Sequence, residues 1–218
     1  MLKISNLNAS IGDKQILNDI TVDLLPGGVL LIVGHNGSGK STLLHAIMGR
    51  YDISVTGQIT LEEKDLLSLP CHERARSGVF MFHQTPPTID GVNTMTLINE
   101  VNKQQGSQYS KRDLIDRSKK LFNELNLPDD WTKRQFNSGA SGGERKKNEL
   151  VQAKLFAPKV LLLDEPDSGL DQASRQNIVD LIKKNSQAGG YTLLVSHDNE
   201  LQSIYKDNVI ELNNGRIV

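Results

Sequence analysis

The chain has 218 residues, with 25 lysines and arginines against 26 aspartates and glutamates, a formal net charge of −1. That length suffices for one large or two small cores, and the charge balance excludes a global field drawing nucleic acid or an anionic membrane surface. No apolar run approaches the roughly 20 residues of a membrane span, the start Met1-Leu2-Lys3-Ile4-Ser5 lacks a signal-peptide pattern, and the lone Cys71 excludes an intrachain disulfide or a cysteine-built zinc site, so a cytoplasmic protein without direct membrane contact is expected.

In chain order, Leu2, Ile4, Leu7 and then Ile20, Val22, Leu24 alternate as strands do. Val29 to Val33 is a β-branched apolar run that predicts a buried strand, and Ser41 to Met48 predicts the helix after it. Cys71, beside Pro70, reads as a small residue at a helix start rather than a reactive thiol. Val79-Phe80-Met81-Phe82 predicts another strand, with Gln84 just past its end. Pro86-Pro87 and Asp90-Gly91 mark a loop, and Asn102 to Ser110 is polar without apolar periodicity. Ser110 with Asp113 resembles a helix cap, and Leu114, Ile115, Leu121, Phe122 and Leu125 recur at helical spacing until Pro128. The strand signal returns at Val160 to Leu163, Tyr191 to Val195 and Val209 to Leu212, before the hairpin-like turn Asn213-Asn214-Gly215. These elements predict an α/β core over 1–84 and 151–218, interrupted by a helical subdomain over 85–150.

Between the strand Val29 to Val33 and its helix lies Gly34-His35-Asn36-Gly37-Ser38-Gly39-Lys40-Ser41, the P-loop spacing of two glycines and a lysine. Its backbone N–H groups wrap phosphates, so Gly34, Asn36, Gly37, Ser38, Gly39, Lys40, Ser41 and the following Thr42 are the nucleotide-binding candidates, with ATP as the expected ligand. Phosphoryl transfer to water needs positioning and charge more than covalent chemistry. Lys40 supplies charge at the β and γ phosphates. Ser41 and Asp164, the latter at the end of an apolar run, are candidate Mg²⁺ ligands, and Gln84 is a neutral candidate for magnesium or water. Glu165 has the reach to orient or deprotonate the attacking water. His197, after the run Tyr191 to Val195, reads as a γ-phosphate contact over a satisfied structural histidine. The other four histidines, His35, His45, His72 and His83, read as loop or packing residues.

Ser141-Gly142-Gly143-Glu144 fits two roles at once. S-x-x-E is a capping box that starts a helix, and the glycines let a phosphate approach that helix's positive end. The P-loop's own helix already meets the local phosphates, so this second anion site makes most sense facing ATP held by another copy. A transient, ATP-dependent homodimer follows.

Together these residues resemble the ATP-binding cassette family: Walker A at Gly34 to Ser41, Q-loop at Gln84, signature at Ser141 to Glu144, Walker B at Val160 to Glu165, D-loop from Ser168 to Asp171, switch at His197. The resemblance covers essentially the whole chain. It implies a P-loop ATPase fold of cassette type, with a mixed sheet core, an antiparallel β region and an inserted helical subdomain. Transporter cassettes typically carry glutamine after the paired glycines, whereas this chain has Glu144, then Lys147 and Asn148. The runs Ser141 to Glu149 and Asp164-Glu165-Pro166-Asp167-Ser168-Gly169-Leu170-Asp171 look more like the cytosolic cassette ATPases of iron–sulfur cluster assembly. That resemblance implies a SufB/SufD-like scaffold as partner, docked at Gln84 to Val92 and the adjoining helical segment, with no iron held by the cassette. An ABC transporter subunit is the alternative. A cassette acting on nucleic acid predicts tandem P-loops or a basic arm, and this chain shows neither. Two departures stand out. Ile11 replaces the aromatic ring that stacks on adenine in many cassettes, which implies weak base recognition, and the sequence ends at Ile217-Val218, where members commonly continue.

Overall fold

Apolar strands bracketed by glycine turns set out the first half of the chain. The computed structural model describes residues 1–106 and 109–218, so Ser107 and Gln108 of the polar 102–110 stretch lie outside the described residues. The opening elements are β1 (Leu2–Ile11), β2 (Lys14–Leu24), β3 (Val29–Val33), α1 (Lys40–Met48), β4 (Ile53–Leu61), β5 (Lys64–Asp65), α2 (Cys71–Arg76) and β6 (Val79–Phe82). Next come β7 (Ile89–Asn93), α3 (Thr94–Gln104), α4 (Lys111–Glu124), a 3-10 turn over Asp129–Lys133, β8 (Gln135–Phe136) and α5 (Gly142–Phe156). The chain closes with β9 (Val160–Asp164), α6 (Gln172–Gln187), β10 (Tyr191–Val195), α7 (Asn199–Ile204), β11 (Val209–Asn213) and β12 (Arg216–Ile217).

Two compact units result: one of 1–81, 158–166 and 182–218, the other of 82–157 and 167–181. Residues 151–156, placed by sequence with the α/β core, complete α5, and a helix held by its own i to i−4 bonds is not divided at residue 150.

The first unit holds two sheets. One is antiparallel in the order β2-β1-β4-β5; the other runs β12-β11-β3-β10-β9-β6, with β11, β3, β10 and β9 parallel and β12 antiparallel at the edge. The odd step from Ile4 to Leu7 is explained by a register shift between them, with Asn6 at φ 47°, so that both side chains face the core. β9 and β10 are buried along their whole length, as apolar parallel strands require. Their Val160, Leu162, Leu193 and Val195 pack in one core with Leu43, Leu44 and Ile47 of α1. Arg74 of α2 is buried and gives Nη1 to the carbonyls of Ala46 and Ile47 (2.8 and 2.9 Å), stabilising the negative end of α1. Asn214 and Gly215, at φ 48° and 77°, form the two-residue turn between β11 and β12.

In the second unit, β7 and β8 pair as a short ribbon. Asp90-Gly91, expected in a loop, therefore lies in a strand, and Asn102 to Gln104, expected to be irregular, ends α3. The buried face of α3 is Thr94, Ile98 and Asn102: the spacing is helical, but two of the three are polar, so an apolar-periodicity reading passes over it. Ser110 caps α4 as expected, accepting from the Asp113 N–H at 3.2 Å. Ala157 ends α5 in a left-handed conformation at φ 42°. Ala157→Gly removes the Cβ strain there and is expected to raise unfolding stability by about 1 kcal/mol, read as a higher urea midpoint at unchanged slope.

Candidate active site

The P-loop leaves β3 at its carboxyl end and enters α1 through Gly39, at φ 108°. A Cβ on Gly34 would lie 2.2 Å from the Leu212 carbonyl and one on Gly39 2.7 Å from the Leu17 side chain, so the cradle admits only glycine at these points. No side chain caps α1 and its first turn has no acidic residue, which leaves its amino end for an anion. Lys40 folds back over the loop, 7% exposed, and donates Nζ to the carbonyls of Gly34 and His35 at 2.8 and 3.0 Å. Ser38 is buried and its hydroxyl has no protein partner, whereas Asn36 and Gly37 are exposed at the loop's crest. Thr42 follows, half-buried, in the first turn of α1.

Parallel pairing brings the remaining core residues level with this loop. Val195 is the register partner of both Ile32 and Asp164, so the ends of β3, β10 and β9 coincide. A row of strand ends beside a glycine turn is where open α/β sheets bind ligands. Ser41 donates its hydroxyl to Asp164 Oδ1 at 3.0 Å, and Asp164 is buried. Glu165 leaves the strand at φ 47°, a conformation side-chain-bearing residues rarely hold, and its N–H donates to the Val195 carbonyl at 2.9 Å. His197 Nε2 lies 3.6 Å from Glu165 Oε1. The uncapped helix end, the Gly34 and Gly39 cradle and the orphaned Ser38 hydroxyl fit a phosphate chain, and the paired oxygens of Ser41 and Asp164 fit a hard divalent cation. Among the described residues there is no group of three or more His, Cys, Asp or Glu side chains that could hold a metal ion.

Gln84, the signature turn and the D-loop belong to the second unit. Gln84 is exposed, just beyond β6. Ser141 and Glu144 form the expected capping box: Ser141 Oγ accepts from the Glu144 N–H at 3.3 Å, and Glu144 Oε2 accepts from the Ser141 N–H at 2.8 Å and hydroxyl at 2.9 Å. The Ser141 N–H and then its hydroxyl hold the Glu144 carboxyl below its ordinary pKa. A phosphate arriving here would have to take the Ser141 hydroxyl from Glu144. Gly142 has open space about it, while a Cβ on Gly143 would stand 3.2 Å from the Gly169 carbonyl. Ser168 is exposed. Asp171 accepts from the Ser174 N–H at 2.8 Å and lies 3.2 Å from Lys147 Nζ; these bonds, the Ser174 backbone first, hold its carboxyl low.

His83, a loop or packing residue by its sequence, has its ring Nδ1 2.7 Å from Glu149 Oε1 of α5, a contact that the sequence does not announce. The two stand 66 residues apart, and no local pattern joins them. The available signal was Glu149 itself, a carboxylate next to the apolar pair Leu150-Val151.

The family model described as ABC transporter matches residues 17–168. The probable ATP-dependent transporter SufC of Escherichia coli is 37% identical over 225 aligned positions, covering 100% of this chain and 91% of the relative. In structure, an ATP-binding subunit of an ABC transporter superposes with a TM-score of 0.84 at 24% identity, covering 100% of this chain and 88% of that one. A dimeric ATP-binding cassette in a post-hydrolysis state with ADP and Pi gives 0.82 at 21% identity, covering 100% and 96%.

Proposed function

The chain belongs to the ABC transporter family and is an ABC-type ATPase, and from that premise we propose that it drives a SufB/SufD-like scaffold of iron–sulfur cluster assembly by ATP-dependent dimerisation in the cytoplasm. One observation carries the chemistry: Ser41 Oγ stands 3.0 Å from Asp164, Glu165 follows Asp164, and His197 lies 3.6 Å from Glu165. Lys40 and the amino end of α1 hold the phosphates. Ser41 and Asp164, with Gln84, would hold magnesium, which when bound would supply positive charge to the phosphates. Glu165 takes a proton from water as the water oxygen bonds to the γ-phosphorus. The bond from that phosphorus to the β–γ bridging oxygen breaks, releasing ADP and phosphate, and His197 donates to the γ-phosphate oxygens. Ser141, Gly142 and Gly143 of a second copy complete the site, with Ser168 and Asp171 beside them.

The choice of partner is supported by the 37% identity to SufC and by Glu144, Lys147 and Asn148 in the signature helix. Among the described residues no helix is long and apolar enough to cross a membrane. The docking face proposed for the scaffold is Gln84 to Val92, largely exposed and continuous with β7. The test is to tag the chain, recover it from the soluble and membrane fractions of its cells, and identify the stoichiometric partner by mass spectrometry. A SufB-like partner in the soluble fraction is expected; a polytopic membrane protein would make this a transporter subunit.

A further inference from the structure

A buried carboxylate is costly unless hydrogen bonds replace its water, and Glu149, 4% exposed in the middle of α5, directs two of its bonds to one residue. Its Oε2 accepts from the His83 N–H at 3.1 Å, and its Oε1 meets His83 Nδ1 at 2.7 Å. Burial pushes the Glu149 carboxyl up, and the His83 contacts oppose that shift. Gripping both the backbone and the ring fixes the peptide that leads into Gln84. The neighbouring residue, Asn148, is fully buried and gives Nδ2 to Asn137 Oδ1 at 2.8 Å; Asn137 in turn gives Nδ2 to the Pro87 carbonyl at 2.8 Å. Two consecutive residues of α5 therefore pin the segment 83–87 at both ends, with Gln84 and Thr85 exposed between the pins. The same helix begins at the Ser141 turn.

We propose that Glu149 is a positioning residue that, with the Asn148–Asn137 link as a second tether, ties Gln84 to α5, so that the Gln84 segment and the Ser141 turn move as one piece. The consequence for catalysis rests on the role proposed above for Gln84. A group held 1 Å from its working place loses up to about a hundredfold in rate, whereas nucleotide held by the P-loop is unaffected.

The experiment compares full-length Glu149→Ala, Glu149→Gln and Asn137→Ala with the wild-type chain, by steady-state ATP turnover and by amide hydrogen exchange of a peptide spanning 82–88. Glu149→Ala should lower kcat about tenfold at unchanged KM for ATP and speed exchange in that peptide while β9 and β10 stay protected. Glu149→Gln keeps an acceptor for the His83 N–H and a donor for the ring, so it should restore kcat and protection together. Asn137→Ala, which cuts the other tether, should reproduce the Glu149→Ala pattern even if Glu149→Ala does not fold. Wild-type kcat and exchange in a folded Glu149→Ala or Asn137→Ala chain would overturn the proposal, as would losses that Glu149→Gln does not rescue. An inactive wild-type chain would instead fault the ATPase reading, leaving the exchange data to decide the tether alone.

Discussion

Lys40→Ala is expected to abolish measurable ATP turnover and to weaken nucleotide binding while the chain stays folded. Lys40 spends its charge on the carbonyls of Gly34 and His35, at 2.8 and 3.0 Å, within the loop proposed to receive the phosphates. Those carbonyls hold the ammonium over the cradle, and in the proposed role the charged phosphate oxygens would replace them. Alanine keeps the glycine backbone and the amino end of α1 but removes the only cation of the loop, at the point where negative charge grows in the transition state. Removing one such stabilising group costs on the order of 10²–10³ in kcat in a water-poor site. Turnover with a range of Mg·ATP concentrations checks this, with thermal unfolding as the control for folding. Wild-type turnover in Lys40→Ala would overturn the P-loop assignment.

Glu165→Gln separates binding from chemistry. Glutamine matches the shape of Glu165 and preserves the backbone N–H hydrogen bond donated to the Val195 carbonyl, so the φ 47° backbone and the strand end need not change. What it cannot do is accept the proton of the attacking water. General-base removal costs about 10²–10⁴ in rate, and ATP that binds without being split should hold the sandwiched dimer closed. Size-exclusion chromatography with light scattering should show a monomer without nucleotide and a dimer with Mg·ATP. Normal hydrolysis by Glu165→Gln would assign the base to another group.

The parts legible in the sequence were those whose physics is local. Val29 to Val33 is apolar because both faces of β3 are covered, and Gly34 and Gly39 are glycine because the Leu212 carbonyl and the Leu17 side chain stand against them. The Ser141 and Glu144 capping box and the Asn214-Gly215 turn were visible because each is closed within four residues. α3 was missed because its inward stripe is Thr94, Ile98 and Asn102, and α5 shows no amphipathic stripe because Lys146, Asn148 and Glu149 are buried along with Leu150, Val151 and Phe156. Burial of those polar residues depends on partners such as His83 and Asn137, which lie far off in the chain, so only the fold reveals why they are tolerated. The left-handed Glu165 gave no sign either, since nothing in Asp164-Glu165-Pro166 demands a positive φ.

The central claim is that each ATP is held by Lys40 of one copy and by Ser141 of the other. Mixing two defective chains, Lys40→Ala and Ser141→Ala, tests it directly, because their heterodimer pairs both lesions in one site and leaves the other site with its native lysine and serine. Turnover of the mixture should exceed the sum of the separate variants, while a chain carrying both substitutions, mixed with wild type, should gain nothing. If the two single variants together show no more activity than apart, Ser141 acts on ATP of its own chain or not at all, and the sandwiched dimer is wrong.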